Sequence, residues 1–413
     1  MSATAADERV VIVGAGQAGQ QVAASLRQEG FKGTIALIGD EPGLPYQRPP
    51  LSKGYMKDGL RERLQLAPAA FYERNAITLL PETRIVAIDR AARQVVAADG
   101  SRHGYDHLVL ATGARNFRPP ILGADHGEVV ELRDLRHADA IRERLGRTRH
   151  AIVIGGGFIG LEFAAVAREA GVEVTVVEAL DRLMARVASP AISARFLEAH
   201  RGWGTRVMFE ALATGIEIGP DGRAGVALAT GGRIEGDMVL LATGIVPNAE
   251  LAAEAGLGIE NGIAVDARLV TDAPAISAIG DCASFPGPKG GRVRLESVQA
   301  AVDHARHVAR RIAKGDMGAY EAVPWFWSDQ GDLKLQIAGL TSLADARVSL
   351  PQDGPAETVL GFSEGVLVAV ETVNGPGTHM AARRLLARGG VTEAELREAG
   401  WDLRALAKAA AAS

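Results

Sequence analysis

At 413 residues the chain is too long for one hydrophobic core and implies two or three domains. Its net charge of −5 offers no electrostatic footprint for nucleic acid, and 47% hydrophobic with 23% charged residues is ordinary for a soluble globular protein. The only cysteine, Cys282, rules out an intrachain disulfide or a Cys-x-x-Cys redox pair, and no apolar run reaches the roughly 18 residues of a membrane span.

The opening MSATAADER has no secretory pattern, so a cytoplasmic address is expected. VVIVGAGQAG follows, from Val10 to Gly19. Four apolar, mostly β-branched residues read as a strand buried on both faces, broken by Gly14, Gly16 and Gly19 in the G-x-G-x-x-G spacing. The first glycine permits a tight turn, the second lets backbone approach a pyrophosphate, and the third lets the next helix pack closely. A helix over 18–29 then points its positive dipole end at the phosphates. A strand over 34–38 leads to Asp40 and Glu41, where a ribose hydroxyl needs an acceptor.

In LPYQRPPLSK, residues 44–53, Pro49 and Pro50 stiffen an extended approach, and Ser52 is expected to cap a short helix that starts at Lys53. On residue type alone this is a rigid surface loop with a solvated lysine. Residues 76–106 read as a β-meander, delivering a buried strand that ends in Ala111-Thr112-Gly113. Then the pattern repeats. A strand over 151–154 meets Gly155, Gly157 and Gly160; a helix over 158–170 and a strand over 173–177 end at Glu178. Residues 238–244 repeat the Ala-Thr-Gly strand, ending at Gly244. This internal duplication implies two dinucleotides, one of which can be a bound flavin.

Residues 275–281 read as a short strand ending in Gly-Asp, with a helix over 296–314. From Val323 the character changes to PWFWSDQ, strands over 334–340, 358–361 and 366–372, and helices over 377–387 and 392–412. This is a third, α+β domain.

PYQRPPLSK, GGGFIGLE, the paired ATG segments, IGDCA with ESVQAA, and PWFWSDQ together resemble the NADH-dependent FAD ferredoxin reductases of the putidaredoxin reductase and aromatic dioxygenase reductase family. The resemblance covers essentially the whole chain. It implies an α/β, glutathione-reductase-like fold: an FAD domain over 1–118 and 246–322, an NAD domain over 119–245, and a C-terminal α+β domain over 323–413. It also implies hydride transfer from NADH to FAD, then single-electron transfers to a [2Fe–2S] ferredoxin serving a P450 or a ring-hydroxylating oxygenase.

The resemblance further assigns roles to residues. Gly14, Gly16, Ala18, Gly19, Asp40, Ala111, Thr112, Gly113 and Asp281 would hold FAD, with Ile85 and Arg133 at its adenine half. Val298 would offer a backbone N–H at a helix N-terminus, where about half a positive charge stabilises reduced flavin. Gly155, Gly157, Ile159, Gly160, Glu178 and Gly244 would hold NADH, and Glu178 would repel a 2′-phosphate despite nearby Arg182. Phe158 would cover the flavin face, while Lys53 and Glu162 would meet near its reacting nitrogen. On residue type alone Arg133 is a surface cation, Ile85 is core and Glu162 is a helix-surface acid.

Trp327 would cover the flavin's dimethylbenzene end and face the partner, with Trp325 and Phe326 expected in the core. For docking an acidic ferredoxin, Arg306, Arg310, His307 and Arg311 recur at helical spacing, with Lys408 adding to the patch. Disulfide and peroxide reductases of this fold use cysteines beside the flavin, and residues 40–53 contain none. An NADH oxidase and an apoptosis-inducing-factor-like flavoprotein are the alternatives. No His, Cys or carboxylate cluster suggests a metal.

Overall fold

The computed structural model describes residues 8–315, 317–350 and 356–410. The chain forms two compact units. The first takes the segment ending at Gln47 with Arg61–Arg115 and Val246–Ala322; the second takes Arg48–Leu60, Asn116–Ile245 and the chain from Val323 onward.

The first unit is built on a five-stranded parallel sheet in the order Ile276–Ala278, His107–Leu110, Arg9–Val13, Thr34–Ile38 and Ile77–Leu80. Val10, Val11 and Ile12 are at most 2% exposed, as a strand covered on both faces must be. The helices Gln17–Gln28 and Val298–Lys314 pack against each other. The expected β-meander is shorter than read. Ile77–Leu80 pairs in parallel with Thr34–Ile38, and only Ile85–Asp89, Gln94–Ala97 and Arg102–Gly104 form the antiparallel meander.

The second unit repeats the plan: Arg206–Met208, Glu173–Val177, His150–Ile154, Met238–Leu241 and Val129–Glu131, all parallel. In both sheets the fingerprint strand is central, flanked by the strand that follows it and by the Ala-Thr-Gly strand. Even the register matches, since Val13 pairs with Leu110 and Ile154 with Leu241.

A five-stranded antiparallel sheet completes this unit, in the order Trp325–Gln330, Leu333–Gly339, Val366–Val373, Glu357–Ser363 and Ala346–Leu350. The helix Pro376–Arg388 contributes Ala382 and Leu385 to the cluster that buries Leu360, Phe362 and Val370. Ala346–Leu350 is a half-exposed edge strand without an apolar run, so its sequence carries no strand signal. The expected helix over 392–412 divides into Glu393–Glu398 and Leu403–Ala410, because Gly400 and Trp401 both turn left-handed, at φ +65° and +64°. Residues 411 and 412 lie outside the described residues. Among the described residues no helix is long and apolar enough to cross a membrane.

Candidate active site

The two glycine turns are superimposable in their logic. A Cβ on Gly14 would sit 2.1 Å from the Ala111 carbonyl oxygen, and one on Gly155 would sit 2.4 Å from that of Ala242. Both glycines have positive φ, +110° and +108°. Here the Ala-Thr-Gly strand shows its purpose: its alanine carbonyl is the wall the first glycine leans on. The third glycines, Gly19 and Gly160, lie against the carbonyls of Gly14 and Gly155. The middle glycines differ. Gly16 and Gly157 have φ of −86° and −85°, and a Cβ on either would meet nothing within 4 Å. Neither packing nor backbone geometry requires glycine there. Each is the N-cap of its helix and faces open space, which is what the approach of a pyrophosphate requires.

The latches behind the turns are also duplicated. The Thr112 hydroxyl donates to the Asn248 carbonyl at 2.7 Å, and the Asn248 N–H donates to the Gly113 carbonyl at 2.9 Å. In the second unit the Thr243 hydroxyl donates to the Phe117 carbonyl at 2.7 Å, and the Phe117 N–H donates to the Gly244 carbonyl at 2.9 Å.

The ribose-side acids are not equivalent. Glu178 accepts the Gly156 N–H at 2.7 Å on one oxygen and the Leu180 N–H at 2.8 Å on the other. In the first unit Gly39 follows the strand directly, where Ala15 leaves no space for a side chain, so the exposed Asp40 is displaced by one residue. Glu41 is engaged by the Tyr46 hydroxyl. Arg182 donates to the carbonyls of Ala188 and Ala185 at 2.8 and 2.7 Å and to the Ser193 hydroxyl at 2.9 Å. A different arginine, Arg186, brings its guanidinium over Gly244, 2.9 Å from where a Cβ would lie. In the sequence Arg186 looked like any loop cation.

The charge pair expected between distant segments is present. Lys53 Nζ lies 2.7 Å from Glu162 Oε2, and Glu162 is 3% exposed. Glu162 is therefore not the helix-surface acid its residue type suggested. The Ser52 hydroxyl donates to Glu162 Oε2 at 2.5 Å and that of Ser328 to Oε1 at 2.7 Å. Ser52 does not cap a helix: Lys53 is the N-cap of Gly54–Asp58, and the buried serine hydroxyl is drawn to the carboxylate instead. Phe158, one turn before Glu162, meets Phe326 edge-on at 4.8 Å. Phe326 is thus half-buried against Phe158 rather than in the core.

Trp327 stands on the other face of its strand, beside Trp325 at 5.6 Å, so alternation points it away from Glu162. Trp325 lies against the C-terminal core, under the Arg383 guanidinium at 4.6 Å.

Asp281 lies in the turn Gly280–Cys282, whose Gly280 N–H donates to the buried His304 at 3.2 Å. Ala18 packs 3.2 Å from where a Cβ on Gly280 would lie. Val298 opens its helix, with Ser297 as N-cap accepting the Ala300 N–H at 3.0 Å; Glu296 precedes the helix and pairs with Arg294. Ile159 is 42% exposed on the first turn of the second fingerprint helix. Ile85 packs partly against the first core. The Arg133 carbonyl accepts from Arg48 at 2.8 Å.

The four-residue basic patch does not form as read. Arg306 and Arg310 are exposed, but they pair with Asp303 at 3.7 Å and Glu29 at 2.9 Å. His307 and Arg311 are rotated by about 100° on the helix; Arg311 donates to Ser277, and His307 lies against Tyr320. Lys408 is exposed on Leu403–Ala410. Among the described residues no group of His, Cys, Asp or Glu could hold a metal.

Two parallel dinucleotide folds with open middle glycines, followed by an antiparallel domain, define an oxidoreductase with a glutathione-reductase-like fold. The chain belongs to the pyridine nucleotide-disulphide oxidoreductase family, whose sequence model matches residues 8–305; a reductase C-terminal model matches residues 325–407. It is 49% identical over 384 residues to rhodocoxin reductase of Rhodococcus erythropolis, covering 92% of this chain and 89% of that protein. The ferredoxin reductase for the CYP199A2 system of Rhodopseudomonas palustris superposes with a TM-score of 0.93 at 45% identity, covering 97% of this chain and all 100% of that one. Putidaredoxin reductase in its covalent complex with putidaredoxin gives the same TM-score, 0.93, at 36% identity over 99% of this chain and 100% of that one. Flavoprotein reductases of this kind use FAD and NADH.

Proposed function

We propose that this chain is an NADH-dependent ferredoxin reductase that holds FAD in the first glycine cradle and NADH in the second, and works in the cytoplasm. The observation that carries the reading is the pair of middle glycines, Gly16 and Gly157, that nothing inside the protein requires. FAD, when bound, accepts a hydride from NADH and releases its electrons singly to a [2Fe–2S] ferredoxin of a P450 or ring-hydroxylating system.

The chain's own residues bind, orient and polarise. Asp40 and Asp281 would accept from FAD hydroxyls, and the N-terminus of Val298–Lys314 would supply positive potential to the flavin. Lys53, held by Glu162, would add a cation beside bound flavin, and Phe158 would offer an aromatic face to it. Trp327 would face the electron-accepting partner, and Arg306, Arg310 and Lys408 are the cations offered to an acidic one.

NADH is preferred over NADPH. Glu178 presents a carboxylate to the ribose, and Arg182, the neighbouring cation, gives three of its five N–H donors to Ala185, Ala188 and Ser193. Arg186 adds positive charge over Gly244 for the dinucleotide phosphates. Thiol chemistry is not used: Cys282 is fully buried, burial raises its pKa, and its Sγ lies 3.3 Å from the Ile279 carbonyl. This disfavours the NADH oxidase alternative. The test is NADH-driven reduction of a [2Fe–2S] ferredoxin against oxygen uptake without it. Fast ferredoxin reduction with slow oxygen uptake is expected; oxygen uptake unaffected by ferredoxin would overturn the assignment.

A further inference from the structure

Four segments far apart in the sequence converge on one buried polar chain. His200 Nε2 lies 2.9 Å from Gln330 Oε1, and Gln330 Nε2 donates to Ser328 Oγ at 3.1 Å. Ser328 Oγ in turn donates to Glu162 Oε1 at 2.7 Å. Glu162 Oε2 then takes the Lys53 ammonium at 2.7 Å and the Ser52 hydroxyl. His200, Ser328 and Gln330 are 0% exposed, so water does not compete for these bonds.

One proton arrangement satisfies the chain. A carboxylate can only accept, so the Ser328 hydroxyl must donate to it, and the serine oxygen must receive the Gln330 amide N–H. That fixes the amide's orientation and turns its oxygen toward His200, which must then carry its proton on Nε2. Burial lowers the His200 pKa, in keeping with a neutral ring that has one N–H to give. The Thr205 hydroxyl lies 3.5 Å from the other ring nitrogen. Every donor thus points one way, from His200 toward Glu162. An amide neither gives up nor takes a proton near neutral pH, so the chain orients and does not conduct.

Local geometry shows how the relay is made. Phe326, Ser328 and Gln330 alternate along one face of the strand Trp325–Gln330, while Phe158 and Glu162 are one turn apart on Phe158–Glu169. The strand therefore meets the helix as a ladder, aromatic on aromatic and hydroxyl on carboxylate. His200 reaches the last rung from the helix Pro190–Gly202.

The geometry points to Ser328, Gln330 and His200 as positioning residues that fix the Lys53 ammonium through Glu162. Without Ser328 the Oε1 side of the carboxylate loses its donor, and Glu162 is free to turn away from Lys53. The inference rests on the reading that Lys53 serves the bound flavin.

The test compares Lys53→Met, Ser328→Ala, Ser328→Thr and Gln330→Met in the FAD-loaded protein. The readouts are flavin midpoint potential, anaerobic reduction rate by NADH, FAD content and melting temperature. Lys53→Met, Ser328→Ala and Gln330→Met are expected to move the potential in the negative direction. For Ser328→Ala the shift corresponds to about a tenfold change in the reduction equilibrium, about 30 mV for a two-electron couple. Ser328→Thr restores the original value. If Lys53→Met moves the potential while Ser328→Ala and Gln330→Met only lower the melting temperature, the relay is packing and the inference falls alone. If Lys53→Met leaves the potential unchanged, the flavin role of Lys53 fails and the relay with it.

Discussion

Replacing Gly157 by alanine puts a methyl group into open space, because nothing lies within 4 Å of a Cβ built there and a φ of −85° suits alanine. The unfolded chain loses some freedom, which favours folding by about 0.4–1 kcal/mol, and the N-cap becomes poorer by a similar amount. Stability therefore stays within about 1 kcal/mol of the parent. A pyrophosphate drawn to this helix end meets the methyl directly, and overpacking of that kind costs about 1–3 kcal/mol. That corresponds to roughly 5–150-fold weaker NADH binding. Stopped-flow titration with NADH gives the dissociation constant, and thermal melting with FAD content gives the control. Gly16→Ala should show the mirror image, with lost FAD. Gly155→Ala should damage the fold, since its Cβ would lie 2.4 Å from a backbone oxygen at φ +108°. Unchanged NADH affinity in Gly157→Ala, with a lowered melting temperature, would refute the reasoning.

Three further outcomes follow from particular residues. Cys282→Ala should keep ferredoxin turnover at the parental rate in a steady-state assay, since Cys282 is buried and no thiol relay exists. Arg182→Ala should lower the melting temperature without changing the ratio of kcat/KM for NADH and NADPH, because its hydrogen bonds close a loop. Burial lowers the His304 pKa from 6.5 to about 3, so between those values the unfolded chain binds a proton that the folded chain refuses. Stability then rises with pH across that window and falls on acidification, by at most about 1.4 kcal/mol per pH unit from this group. His304→Gln should flatten that slope in urea unfolding measured from pH 4 to pH 6.5.

Much of the fold was legible because its signals are local. A buried strand, three glycines at fixed spacing and an acid after the next strand sit within one stretch of sequence, and the duplication doubled the signal. The Ala-Thr-Gly segments were legible as repeats, but not their reason, since the contact of Ala111 with Gly14 joins residues far apart in the sequence. Long-range partnerships were the main loss. Residue type made Glu162 a surface acid because nothing in its own helix announces the strand carrying Ser328. Ser52 looked like a cap for the same reason. Phe326 is expected in the core, although alternation along Trp325–Gln330 separates it from Trp325 and Trp327. The basic run fails for a different reason: His307 and Arg311 sit about 100° from Arg306 and Arg310, which turns them toward Tyr320 and Ser277.

Anaerobic titration of the purified, full-length protein with NADH, followed by addition of an oxidised [2Fe–2S] ferredoxin, tests the central claim most directly. The account predicts a yellow flavin spectrum that bleaches with NADH and returns as the ferredoxin is reduced, in the parent and in Cys282→Ala alike. A colourless protein, or a flavin that NADH bleaches but ferredoxin does not reoxidise, would contradict it.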